Sequence, residues 1–277
     1  MEYENSLELV GAKKLPRLLE SELFSDITIR IGDSSFRCHK VILACASEYF
    51  EKLFQKEDSK DGELVVKDTT PELLKIIIDY LYKKDIGYLK NLEWESLCSI
   101  LKLANMWMLS DFEYLCEEFL IKTFRVLKPE ALIEIFKLSH LLKNTNLMES
   151  LISEITEIFD NFDRLAPYVL NLEIDFFVDF FLMSNQFRPI ERFTVLNRWI
   201  QNYISKNNGL VVSSPLPEID NIKNCTTDLE KISYMLGDIR FDRMTLDAFY
   251  EGPAKSNILR DSDKVEIIYR IAKLYLL

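Results

Sequence analysis

The spacing of apolar and polar residues changes within thirty residues near the start of the chain. Isoleucines alternate with polar residues from Ile27 to Ile31, which predicts a half-buried strand. Gly32 and Asp33 predict a hairpin turn, after which a second strand returns through Cys38. Apolar residues then recur at helical spacing, at Val41, Ile42, Cys45, Ala46, Tyr49, Phe50, Leu53 and Phe54. This spacing predicts one helix with a wide apolar face.

Helices dominate the pattern that follows. A polar stretch leads to a short strand at Leu64–Val66, and Thr70 before Pro71 is typical of a helix start. Ser110 with Glu113 predicts a capping box that begins a later helix. Up to about residue 124 the chain therefore predicts a small α+β unit.

No further strand is predicted beyond residue 124. Pro129 begins one helix, Asn146 with Glu149 begins the next, and apolar-rich helices continue to about Tyr203. Residues 205–228 are rich in Asn, Ser, Pro and Lys and predict a flexible loop. Helices resume at Leu229, break at Gly237 and finish with Val265–Leu276, so the second unit is predicted to be all-α.

Composition narrows the classes of function. The 277 residues are 48% apolar and 29% charged, as in globular proteins. A net charge of −11 argues against nucleic acid as a partner, because phosphate binding needs clustered Lys and Arg. Only seven glycines are present, which disfavours phosphate-binding loops and propeller blades. We expect no cofactor.

The cysteines and the apolar segments point to a reducing compartment. The five cysteines form no C-x-x-C pair and have no zinc spacing, and three fall on apolar faces of predicted helices, so no metal site is expected. The acidic start M-E-Y-E-N-S lacks an apolar core, so no signal peptide is expected. The most apolar window, residues 176–187, is interrupted by Asp179 and is too short to span a bilayer. We therefore expect a cytoplasmic or nuclear protein without membrane contact.

Four segments in order resemble the BTB/POZ family over residues 7–124. They are S-D-I-T-I at Ser25–Ile29, C-H-K-V-I-L-A-C-A-S-E-Y-F at Cys38–Phe50, the segment Asp68–Tyr82, and the segment Ala104–Leu120. Residues 125–277 resemble the 3-box and BACK helices of the same family, through Phe177–Phe187, Arg198–Ile200 and Ile239–Thr245. The resemblance implies an α+β BTB/POZ domain, with a small sheet flanked by helices, followed by an all-α BACK domain.

The resemblance also implies homodimerisation. In the family an amino-terminal helix packs against the partner subunit, and the matching apolar positions here are Leu7, Val10, Leu15, Leu18 and Leu19. An exposed apolar stripe on that helix needs burial. The alternative is that the helix folds back onto its own core.

BTB-BACK proteins often serve as target adaptors of cullin-3 ubiquitin ligases, so the resemblance implies cullin-3 as a partner. The implied contact residues are Phe54, Gln55, Glu57, Tyr82, Met106 and Trp107. The family's hydrophobic-x-glutamate pattern is one residue out of register in Phe54–Glu57. Tyr82 and Trp107 could equally cover the edge of the core. A dimerising scaffold or transcriptional cofactor that does not bind cullin-3 is the alternative function.

The remaining candidates are structural. In the family, positions matching Asp26, His39 and Lys40 form a charged spot near the dimer axis. An acid and an imidazole could suggest acid–base chemistry, but no nucleophile stands at a recognisable spacing, so we expect no catalytic residue and no enzyme. The sequence shows no kelch, MATH or zinc-finger region. An unidentified target protein is therefore expected to bind the BACK helices or the 205–228 loop.

Overall fold

The computed structural model describes residues 14–56, 62–67, 69–158, 167–206 and 225–275. The chain separates into two compact units, Met1–Phe124 and Arg125–Leu277.

The first unit is built on a three-stranded sheet. Strands β1 (Ile27–Ile31) and β2 (Ser34–Cys38) form the predicted antiparallel hairpin, with Ile29 opposite Phe36. Strand β3 (Glu63–Val65) pairs in parallel with β1, so β1 is central. Gly32 has a φ of 53°, which glycine adopts at no steric cost, so the turn forms where it was predicted.

Helices cover this sheet. Residues 14–21 are helical and are called α1. The others of the first unit are α2 (Lys40–Ala46), α3 (Glu48–Gln55), α4 (Pro71–Lys83), α5 (Trp94–Met106) and α6 (Ser110–Thr123). The Thr70 hydroxyl accepts a hydrogen bond from the Leu73 N–H and Pro71 is the first residue of α4, as predicted.

The second unit is helical throughout its described part. Its helices are α7 (Pro129–Leu141), α8 (Thr145–Ile158), α9 (Ile174–Met183), α10 (Pro189–Lys206), α11 (Asp228–Gly237), α12 (Leu246–Glu251) and α13 (Asp261–Tyr275). Phe177 and Trp199 stack in its core with centroids 4.3 Å apart. Most of the predicted 205–228 loop lies outside the described residues. The predicted fold class, a small sheet with flanking helices followed by a helical region, is confirmed.

One helix predicted for residues 41–54 is in fact two. Ser47 lies between α2 and α3 in an extended conformation, and its hydroxyl accepts a hydrogen bond from the Phe50 N–H at 3.2 Å. A capping serine at this point ends one helix and begins the next. Val41 is 67% exposed and Cys45 is exposed, so these two positions of the predicted apolar face lie at the surface of the first unit.

Two predicted capping groups were wrong, although α6 begins at Ser110 as predicted and α8 begins at Thr145, one residue before Asn146. Leu109, which has no capping side chain, precedes α6, and the Glu113 carboxylate instead accepts a hydrogen bond from the Asn105 amide at 2.8 Å. Helix α8 is capped by Asn144, whose Oδ1 accepts from the Leu147 N–H. The complete capping box is the one that sequence reasoning missed, formed by Thr227 and Glu230 at the start of α11.

Candidate partner-binding groove

A groove of about 470 Å³ opens on the first unit. Its walls are residues 44–51 around the α2–α3 junction, residues 80–84 at the end of α4, and residues 108–112 at the start of α6. We call it the partner groove.

Ser47 joins two of these walls. Its hydroxyl accepts from the Phe50 N–H and donates to the main-chain oxygen of Trp107. The rings of Phe50 and Trp107 lie 5.0 Å apart, and both side chains are buried. Helix α3 is therefore fixed to the turn between α5 and α6 by one hydroxyl and one aromatic contact.

The α5–α6 turn points its side chains in opposite directions. Trp107 is 2% exposed, whereas Met106 and Met108 on either side of it are each 51% exposed. Met108 has a φ of 52°, a left-handed conformation that is uncommon outside glycine. The turn thus presents two flexible apolar side chains beside the partner groove.

Tyr82 and Trp107 are core residues. Tyr82 is 1% exposed, so neither side chain is available as a surface anchor. Of the two interpretations left open by the sequence, exposed anchor or core cover, the first is wrong for both residues. The reason is long-range packing: Trp107 meets Phe50, and Tyr82 meets His39.

The other predicted contact residues are partly accessible. Phe54 is half-buried, with its ring stacked on Phe50 at 5.9 Å and the Lys40 ammonium 5.7 Å from its centre. Gln55 is exposed and donates to the Glu51 carboxylate at 3.3 Å. Glu57 lies outside the described residues. Phe54, Gln55 and Met106 are not among the residues that line the partner groove; Phe54 instead packs beside the buried Phe50–Trp107 pair.

The lining of the partner groove carries more acid than base. Its carboxylates are Glu48, Glu51 and Asp111, and its one cation among the lining residues is Lys84. The Lys84 ammonium lies over the Tyr80 ring, 4.5 Å from its centre. A ligand with basic groups would match this surface.

The predicted charged spot is a hydrogen-bond network. An Asp26 oxygen accepts from the Lys40 N–H at 2.7 Å at the start of α2. His39 is buried, and its Nε2 donates to the Leu23 carbonyl at 2.8 Å because a carbonyl oxygen can only accept. Nδ1 is then the acceptor for the Tyr82 hydroxyl. Burial raises the pKa of that hydroxyl, which keeps its proton on the oxygen.

The predicted dimer interface is only partly described. Leu15, Leu18 and Leu19 are half-buried on α1, and Leu7 and Val10 lie outside the described residues. The segment after α1 leaves Leu23 and Phe24 exposed. The dimer interface stays a prediction.

Among the ionisable pairs of the second unit that sequence reasoning missed is one that contains a histidine. His140 Nδ1 and an Asp179 oxygen are 2.6 Å apart, and the imidazole packs against Phe176. The two residues are on different helices, 39 positions apart, so no local spacing indicated the pair. Across the described ranges, no three His, Cys, Asp or Glu side chains converge as metal ligands would, and no helix is long and apolar enough to cross a membrane.

Comparison with known proteins agrees with the sequence resemblance. A family model described as BTB/POZ domain matches residues 15–124. Kelch-like protein 40b of Danio rerio is 36% identical over 107 residues, which cover 38% of this chain and 17% of that protein. Kelch-like protein 41 of Rattus norvegicus is 30% identical over 176 residues, covering 61% and 27%.

Kelch-like protein 41 of Homo sapiens extends the similarity to the helical unit. It is 25% identical over 283 aligned positions, which cover 98% of this chain and 40% of that protein. The chain thus spans less than half the length of these relatives. The resemblance to the BTB/POZ family is confirmed over residues 15–124, and the similarity of residues 125–277 to Kelch-like protein 41 is consistent with the predicted BACK helices.

Proposed function

Since residues 15–124 form a BTB/POZ domain, we propose that the chain is a dimeric protein-interaction adaptor that links a target protein to a cullin-3 ubiquitin ligase. The observation that carries the proposal is the partner groove on that domain, whose lining includes the exposed Met108. The Kelch-like relatives support the coarser statement, a protein-interaction adaptor of the BTB type.

The groove suits a helix from the partner. Exposed methionines adapt their shape to an apolar helix face, a common mode of peptide recognition. The acidic lining favours basic residues beside that face. We assign contact roles to Phe54, Gln55, Met106 and Met108, with Tyr82 and Trp107 as buried support.

The dimer is proposed to form through the amino-terminal helix of the BTB/POZ domain. Leu23, Phe24 and Val41 support the proposal, because exposed apolar side chains near that helix are the kind of surface that a second copy would bury.

Residues 125–277 are proposed to be the 3-box and BACK domain, which holds the target protein. We propose a cytoplasmic or nuclear location, where ubiquitin ligases act on folded targets.

Calorimetric titration with the cullin-3 amino-terminal region tests the adaptor function. We expect micromolar or tighter binding, and at least tenfold weaker binding for Met108→Glu, because it places a carboxylate on an exposed apolar side chain that lines the groove. Tyr88→Glu, an exposed site outside the lining of the groove, is the matched control and should bind as the wild type does. No binding of the wild-type chain at micromolar concentration would overturn the proposal. Light scattering should give the mass of a dimer.

A scaffold or transcriptional cofactor without cullin-3 is the second candidate. The one-residue shift of the hydrophobic-x-glutamate pattern in Phe54–Glu57 favours it. Pull-down of a corepressor or DNA-binding protein, with no cullin-3 bound, would decide for this alternative.

A further inference from the structure

The second unit has a groove of its own. It lies between residues 193–204 of α10 and residues 251–258, and its volume is about 570 Å³. Ligand sites commonly measure about 300–1,000 Å³. The buried side chains of Phe193, Ile200 and Ile258 line it and give it an apolar base. We call it the amide groove.

Carboxamides stand on both of its sides. Asn197 and Gln201 belong to α10, and Asn257 belongs to the opposite segment. Within the described part of the chain, one hydrogen bond involves any of these three amides. It is long: the Ser256 hydroxyl donates to Asn197 Oδ1 at 3.4 Å. A carboxamide offers both donors and an acceptor, as does the main chain of a peptide.

The charges of the lining cancel. Its two charged residues, Glu251 and Lys255, form an ion pair with each other. No excess charge is left to attract an ionic ligand, so the groove is suited to an uncharged one.

The spacing of the carboxamides selects an extended ligand. Asn197 and Gln201 are four residues apart on a helix, a rise of about 6 Å. In an extended peptide, groups on the same edge repeat every two residues, or about 6.6 Å. The two amides can therefore meet successive main-chain groups of one strand. In a helical ligand the main-chain N–H and C=O groups are hydrogen-bonded to each other, so they are not free to pair with the carboxamides.

The wall opposite α10 is held close by Gly252. A Cβ atom built there would come within 2.9 Å of Ile190 Cδ1, so a larger residue would require the Ile190 side chain to move. The wall thus approaches the first turn of α10 closely at Gly252.

We propose that the amide groove binds an extended, uncharged peptide segment of a partner protein. The carboxamides pair with the peptide main chain, and small apolar side chains rest on Ile200 and Ile258. The inference rests on the proposed adaptor function, because it defines the class of target that the adaptor holds.

The test uses the full 277-residue chain and a phage-displayed library of random 12-residue peptides. Enriched peptides are synthesised and titrated by calorimetry. We expect the Asn197→Leu/Asn257→Leu double variant to bind them at least tenfold more weakly. Asn185→Leu, an exposed amide outside the groove, is the matched control and should bind as the wild type does. If the double variant does not fold, the exposed Gln201→Leu replaces it, with the same expected loss.

Substitution of alanine along the best peptide gives a second readout. An extended peptide loses affinity at alternate residues, whereas a helical one loses it every three to four residues. A helical period, affinity unchanged by the groove variants, or no enriched peptide would each overturn the inference. Cullin-3 binding is titrated with the same variants. A variant that still binds cullin-3 but has lost peptide binding supports the inference. A wild-type chain that does not bind cullin-3 counts against the proposed function alone.

Discussion

The Tyr82 hydroxyl holds His39 at two points: it accepts from the His39 main-chain N–H at 2.9 Å and donates to Nδ1 at 2.8 Å. Since His39 Nε2 donates to Leu23, this network joins the end of α4, the start of α2 and the segment before β1.

We predict that Tyr82→Phe destabilises the first unit while leaving its packing intact. The change leaves a buried N–H and Nδ1 without their partner, which costs about 1–3 kcal/mol. Urea unfolding followed by circular dichroism measures the loss. Tyr88→Phe, at a half-exposed tyrosine, is the control and should leave the midpoint unchanged. A Tyr82→Phe variant as stable as the wild type would show that the hydroxyl adds nothing.

We predict that Arg192→Lys destabilises the second unit. The buried Arg192 guanidinium donates to the Phe181 carbonyl at 2.9 Å and to the Asp238 carboxylate at 2.8 Å, linking α9, α10 and the end of α11. Lysine cannot reproduce this fork, and leaving a buried carbonyl without its donor costs about 1–3 kcal/mol. Arg188→Lys is the control, because Arg188 pairs with Glu191 at the surface. Equal thermal unfolding of the two variants would contradict the prediction.

We predict that Cys45 is the first thiol to react with iodoacetamide at pH 8. Cys45 is exposed, whereas burial raises the pKa of Cys38, Cys98 and Cys116 to about 12, and only the thiolate is a nucleophile. Mass spectrometry of peptides after timed labelling gives the order. Cys45→Ser should remove the fast phase, and the three buried thiols should react only after denaturation. Labelling of Cys98 or Cys116 before denaturation would contradict the burial of these two thiols.

We predict that Glu230 makes the second unit sensitive to acid. Main-chain hydrogen bonds from Thr227 and Thr226 lower the pKa of its carboxyl. Its contribution to stability is therefore complete above the unfolded value of about 4.3 and is lost as the pH falls through the lower folded value. Thermal unfolding between pH 3 and 6 should depend less on pH in Glu230→Gln. Glu149→Gln, at an exposed helical site, should keep the wild-type dependence.

Local patterns predicted the features that depend on neighbours in sequence. The β1–β2 hairpin follows from alternation and Gly32, and the start of α4 follows from Thr70 and Pro71. The break at Ser47 could not be predicted in this way, because its hydroxyl also donates to Trp107, sixty residues away.

In the candidate site, too, local sequence patterns do not predict the features that depend on distant residues. The sequence left open whether Tyr82 is an exposed anchor or a core residue, because its burial depends on His39, 43 residues earlier. The exposure of an aromatic side chain is a property of the whole fold, and apolar spacing alone does not determine it.

Because α3 begins directly after Ser47, the position of Ser47 determines in which direction each later side chain of α3 points around the helix axis. Each residue of an α-helix turns the chain by about 100° around the axis. Inserting one residue before Phe54 would therefore rotate its ring by that angle and separate it from the Phe50 ring. The eight positions from Ser47 to Phe54 therefore tolerate changes of residue far better than changes of number, and length differences between related chains should accumulate after Gln55.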